Sequence, residues 1–178
     1  LNPFLLMAVF FLIVAILAAA DAALTSLSFL PYFAGLPWLR VHFITLGVLV
    51  EAAFGALPAF VAARRSRPVP STMWDVWLLL NAGLVLLLAG IPSISAPLII
   101  AGGTLVFAAA VLLILRLRGL GVDQGAGSGS LKFYIGGLVY LLVGILFGTG
   151  LWVGWSAPLQ IGVPKEAHIH ANSWGFAS

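Results

Sequence analysis

Long apolar runs separated by short polar or turn-forming stretches dominate the chain. They extend from about Pro3 to Leu24, Trp38 to Ala63, Trp74 to Ile91, Ala96 to Leu115 and Phe133 to Trp155. Each holds close to the ~20 helical residues needed to cross roughly 30 Å of hydrocarbon, and none alternates with the period of two that marks a transmembrane β-barrel strand. The pattern predicts an all-α, polytopic transmembrane helix bundle with five full spans. EAHIHANSWGFAS, which closes the sequence, reads as the start of a sixth. About a dozen helical residues do not cross a bilayer, and the sequence opens on Leu1 rather than Met. The expectation is therefore a fragment or processed piece of a longer chain, with residues 1–178 forming a single transmembrane domain.

The connectors carry the punctuation such a bundle requires. TSLSFLPYFAGLPW follows the first span, and its aromatic residues suit the headgroup level. RRSRPVPST follows the second, with Ser71 or Thr72 placed to cap the third helix and Asp75 in that helix's first turn. IPSISAP is short and apolar enough to be a tight hairpin, and GLGVDQGAGSGS reads as a flexible polar loop.

Composition agrees and adds an orientation. The chain is 62% hydrophobic and only 7% charged, with a mean hydropathy of +1.18, whereas a soluble domain carries about a quarter charged residues. The net charge of +3 does not point to nucleic acid, because the bases flank membrane spans instead of forming a patch on a soluble face. Arg64, Arg65, Arg67, Arg116, Arg118 and Lys132 fall on one side, and Arg40 and Lys165 on the other. By the positive-inside rule the first side, and with it the N-terminus, is cytoplasmic. The expected partners are the lipid bilayer and a larger membrane complex or a second copy of the chain. There is no Cys, so disulfides, thiolate metal sites, iron–sulfur clusters and thioether-linked haem are excluded from this sequence.

All three histidines fall on one side of this topology. His42 opens the second span near the outer face, and His168 and His170 open the sixth segment. Histidine is rare in lipid and tends to face a bundle interior or a ligand, and it is a common ligand of haem iron and copper. The plain alternative is a set of interfacial histidines bonded to headgroups or water. On an α-helix, residues two apart are separated by about 200°, so His168 and His170 would serve opposite faces. An extended segment would instead let them clamp one copper. Asn172, about a turn beyond His168, and the apolar Trp174 and Phe176 favour the helix.

Below His42, the face carrying Thr45, Leu46, Leu49, Ala53 and Ala56 narrows enough to admit a flat ligand or a close helix. Glu51, about 180° round and some 13 Å deeper on a regular helix, is a candidate proton acceptor, or a protonated acid bonded to a neighbouring helix. Gly144-x-x-x-Gly148 and Gly150-x-x-x-Gly154 read as helix-packing positions, Pro58 as a kink site and Asn81 as an interhelical hydrogen bonder. No phosphate-cradling loop or catalytic array can be assembled, so whether the chain is an enzyme stays open.

RVHFITLGVLVEAAFGALP and EAHIHANSWGF together resemble the histidine-bearing helices of the haem-copper oxidase superfamily, and more closely its small, divergent relatives similar to oxidase subunit I and to NnrS. The resemblance covers roughly thirty residues. It implies that His42 and His170 hold one haem axially and that His168 faces a second, in a prokaryotic cytoplasmic membrane. The sequence departs from the oxidases in lacking a His-Pro-Glu segment and an adjacent His pair, so oxygen reduction and proton pumping are not implied. The expectation is a subunit carrying one or two haems for electron transfer or for binding oxygen or nitric oxide. Two other readings fit the same residues: a non-catalytic structural subunit, and a membrane protein binding copper through His42, His168 and His170.

Overall fold

The structure, a computed structural model, describes residues 1–177 apart from 33–34, 121–127, 156 and 159. The chain is helical, with no strand among the described residues. The helices are α1 (Pro3–Ser26), α2 (Leu36–Arg64), α3 (Trp74–Gly90), α4 (Ala96–Leu120), α5 (Ser128–Val153) and α6 (Pro164–His170). Within α2, residues Phe43–Val50 form a π-helical stretch, and a second π-helical stretch, Ala171–Phe176, continues α6 without a break. Four helices are long and apolar enough to cross a membrane: α1, α2, α4 and the part of α5 from Leu131 to Val153. The third predicted span is shorter, since α3 holds 17 residues and rises about 25 Å. The flexible loop expected over residues 119–130 falls largely outside the described residues.

Local chemistry sets the helix ends. Pro3 sits in the first turn of α1, where its missing N–H costs nothing. Asn2 caps that turn by accepting the Phe4 N–H at 3.1 Å, and its Nδ2 donates to the Gly55 carbonyl at 2.9 Å, tying α1 to α2. Pro58 lies buried inside α2, which runs through it to Arg64. The capping of α3 differs from expectation. Pro68 and Pro70 keep residues 67–73 out of a helix, so Met73 occupies the cap position with no side-chain cap bond and Ser71 and Thr72 fall too early. Asp75 instead receives the Arg116 guanidinium at 2.7 Å, joining the start of α3 to the end of α4. At the opposite end the predicted hairpin forms, with the Ser95 N–H donating to the Gly90 carbonyl at 2.8 Å and the Ser93 hydroxyl to the Ala89 carbonyl at 2.7 Å.

Helix α4 is the centre of the bundle and touches α3, α5 and the C-terminal half of α2. Its Val106, Leu113 and Leu117 are buried against Phe54 of α2, Leu80 and Leu84 of α3 and Leu138 of α5. Lipid offers no hydrophobic gain over a neighbouring helix, so close approach must come from small residues. Between α3 and α4 these are Gly83 and Gly102: a Cβ on either would lie 2.8 Å from the other's carbonyl oxygen. Helix α1 covers α2 through Phe11, whose ring rests on Gly47 and stacks on Phe43 at 6.4 Å.

Gly83→Val is expected to destabilise the bundle by about 1–3 kcal/mol through overpacking against backbone, whereas Asp75→Asn, which removes a half-exposed ion pair, should cost less than about 1 kcal/mol. Thermal unfolding of both variants in detergent measures the difference.

Candidate functional site

His42 stands where α2 passes from α-helical to π-helical turns. Its Nδ1 donates to the Trp38 carbonyl at 2.8 Å, one turn back, and the Trp38 indole stacks on the imidazole with ring centres 3.7 Å apart. A carbonyl oxygen can only accept, so the proton of neutral His42 sits on Nδ1 and the lone pair on Nε2 is left free.

His168 reaches the same state by a different route. The α6 segment runs antiparallel to α5, with His168 beside Gly148, Asn172 beside Gly144 and Gly175 beside Tyr140. The His168 Nδ1 donates to the Gly144 carbonyl at 2.7 Å, again leaving Nε2 free. Asn172 Nδ2 lies 3.3 Å from that same Nδ1 but donates to the His168 carbonyl at 2.9 Å, which fixes the α6 backbone beside the ring. The two glycines make this docking possible. A Cβ on Gly148 would lie 2.7 Å from the imidazole, and one on Gly144 would collide with the Asn172 amide. The spacing of four in Gly144-x-x-x-Gly148 is thus matched by the spacing of four between His168 and Asn172.

The two imidazoles face one another across a gap, with ring centres 6.5 Å apart and planes within 18°. They stand in a cavity of about 760 Å³ formed where the N-terminal half of α2 stands away from α4, closed by α5 and α6. That volume lies in the range of roughly 300–1,000 Å³ typical of small-molecule and cofactor sites. Trp38, Trp152 and Phe176 contribute aromatic wall, Thr45, Thr149 and Asn172 contribute polar groups, and the exposed Lys165 contributes a charge.

The other sequence candidates lie elsewhere. His170 is exposed, outside the cavity lining, and donates from Nδ1 to the Glu166 carbonyl at 2.8 Å. The resemblance pairs His42 with His170, but the structure sets His168 opposite His42. The reason is the rotation of α6 about its axis, which is fixed by the fit of His168 and Asn172 on the two glycines. The two-faced reading of His168 and His170 does hold, since they leave opposite sides of α6. Trp174 is exposed and Phe176 lines the cavity. Glu51 is fully buried outside the cavity lining. Among the described residues no three His, Asp or Glu side chains lie close enough to hold an ion together, so the three histidines do not form one copper centre.

Four positions of the site were not legible as such. Trp38 carries its signal in lying four residues before His42. Gly144 and Gly148 were read as packing residues, and their packing partner is the helix that carries His168. Lys165, read only for topology, is the charged residue of the cavity lining.

Comparison of the chain with protein-family models, with curated proteins and with solved structures finds no match. What the fold and site define is a class: a helical membrane bundle in which two imidazoles, each held at Nδ1 by a backbone carbonyl, bracket an apolar cavity.

A double-mutant cycle tests the docking of His168. Gly148→Ala should cost about 1–3 kcal/mol by forcing the imidazole aside. Most of that cost should vanish in a His168→Ala background, giving a coupling of about 1 kcal/mol or more. Gly136→Ala, where a Cβ meets nothing within 4 Å, is the neutral control. Thermal unfolding of the five proteins in detergent reads the cycle.

Proposed function

We propose that the chain is a haem-binding subunit of a membrane electron-transfer system, with His42 and His168 as the two axial ligands of one haem near the outer face. The observation that carries this reading is the 6.5 Å between two nearly parallel imidazoles whose Nε2 atoms are both free. Imidazole nitrogen binds a metal such as zinc at about 2.0–2.1 Å, and a 6.5 Å separation of ring centres leaves space for a metal that both imidazoles would hold. When bound, the haem supplies reversible one-electron exchange.

The chain's own residues do the rest. The Trp38 and Gly144 carbonyls fix each ring's orientation and raise the basicity of its Nε2. Aromatic and aliphatic wall excludes water, and Lys165 supplies a cation for an acidic substituent at the cavity edge. A haem held by both His42 and His168 would exchange electrons rather than bind oxygen or nitric oxide, which favours electron transfer over gas binding. The distance favours His168 over His170 as the partner of His42, and one haem over two in this cavity.

The same pair supports five spans. Two imidazoles 6.5 Å apart lie on one side of the membrane, so the chain between them crosses an even number of times. Helices α2, α4 and α5 account for three crossings, and α3, joined to α4 by a tight hairpin at one end and by Asp75–Arg116 at the other, supplies the fourth. With α1 the total is five. The positive-inside rule applied to the base-rich connectors supports an N-terminus on the cytoplasmic side.

Visible absorption of the purified chain tests the reading. A Soret band with bis-imidazole low-spin character is expected, reduced on the order of tenfold or more by either His42→Ala or His168→Ala and retained in His170→Ala. Absence of the Soret band and of haem in the pyridine assay would instead support a structural subunit, and copper lost equally from all three variants would support the copper reading.

A further inference from the structure

Glu51 is fully buried at the middle of α2, and it is the sole charged or polar residue in the buried core among the described residues. Both of its carboxyl oxygens lack a hydrogen-bond partner. Asn81 of α3 is the side chain that interacts with it. Asn81 Nδ2 donates one hydrogen within its own helix, to the Trp77 carbonyl at 3.0 Å, and its second does not reach either Glu51 oxygen within bonding geometry. That leaves Asn81 Oδ1 buried and without a donor, and one turn earlier on the same face the Trp77 indole N–H is buried and without an acceptor.

Three buried acceptor atoms, two on Glu51 and one on Asn81, therefore stand without a donor. Buried polar groups without partners are uncommon, and each calls for a missing proton, water or ion. No cation is at hand to balance a carboxylate. The bases of α2 lie at its ends, and Arg64, thirteen residues beyond Glu51, is about 20 Å away along the axis. Asp75 and Arg116, the charged pair joining α3 and α4, lie at the helix ends and are half-exposed. An unpaired carboxylate in such surroundings would be heavily penalised, whereas a carboxylic acid supplies the missing hydrogen.

We propose that Glu51 and Asn81 form a buried proton-binding site, in which the Glu51 O–H donates to Asn81 Oδ1. The site neighbours the cavity without belonging to it. Val50, the preceding residue, lines the cavity wall, and Glu51 does not. A metal ion is a poorer occupant, because a hard cation takes about six or more oxygen ligands and only three unpartnered acceptors meet here. The site stands on burial and hydrogen-bond supply alone and holds whether or not the cavity takes a haem.

Infrared absorption of the full chain at neutral pH, in lipid nanodiscs, tests it. The chain has five Asp and Glu side chains, and Glu51 is the one in the buried core. One protonated-carboxyl C=O stretch is expected, moved to lower frequency in D₂O and absent from Glu51→Gln. Asn81→Leu should shift that band to higher frequency by removing its acceptor. Glu51→Gln, which keeps a donor for Asn81 Oδ1, should retain the wild-type thermal stability, so loss of the band in that variant is not loss of fold. No protonated-carboxyl band at neutral pH, a band untouched by Glu51→Gln, or a band that disappears on adding Na⁺ would overturn the proposal.

Discussion

Inside a bilayer no water is available to satisfy a polar group, and this constraint orders everything else in the molecule. It makes the backbone helical wherever the chain is apolar, because only a helix satisfies each N–H and C=O within one segment. It also removes the usual reason for helices to associate, since a Leu against lipid is as well solvated as a Leu against Leu. The bundle is consequently held by close contacts that lipid cannot imitate. Gly83 on Gly102, Phe11 on Gly47 and the α6 side chains on Gly144 and Gly148 are of this kind.

The same constraint shapes the polar residues that remain. An imidazole at this depth needs a partner for its N–H, and His42 and His168 both find one in a backbone carbonyl, through Nδ1. What is structural necessity for one ring nitrogen is preparation for the other, since a fixed Nδ1–H leaves Nε2 unprotonated and oriented. Glu51 meets the constraint differently. No carbonyl or cation reaches it, so its oxygens and Asn81 Oδ1 stand unpartnered side by side. The cavity imidazoles and the buried acid are thus two outcomes of one rule, the first resolved by backbone and the second by a proton.

The π-helical stretches link packing to site. Wide turns of this form occur mostly as single-turn bulges and often at functional positions; here each follows directly on a histidine-bearing helix, after His42 and after His170. In α2 the stretch itself supplies Thr45, Leu46, Leu49 and Val50 to the cavity wall below His42.

What was legible in the sequence, and what was not, follows from which quantities depend on one helix and which on two. The limits of the spans depend on hydropathy alone, and the helices begin and end within a few residues of the runs read from it except at the connector of α5, where the polar loop passes into helix. The expectation that all three histidines share one side of the membrane depends only on counting crossings. The choice of His168 over His170 depends on how α6 is rotated against α5, and no periodicity within HIHAN specifies that; the answer lies twenty residues away in the spacing of Gly144 and Gly148. The partner of Glu51 was hidden for a related reason. A rotation of 100° per residue sets it opposite His42, and the structure indeed leaves it outside the cavity lining, but which side chain of another helix it meets depends on how α2 and α3 are set against each other, and no period within α2 specifies that.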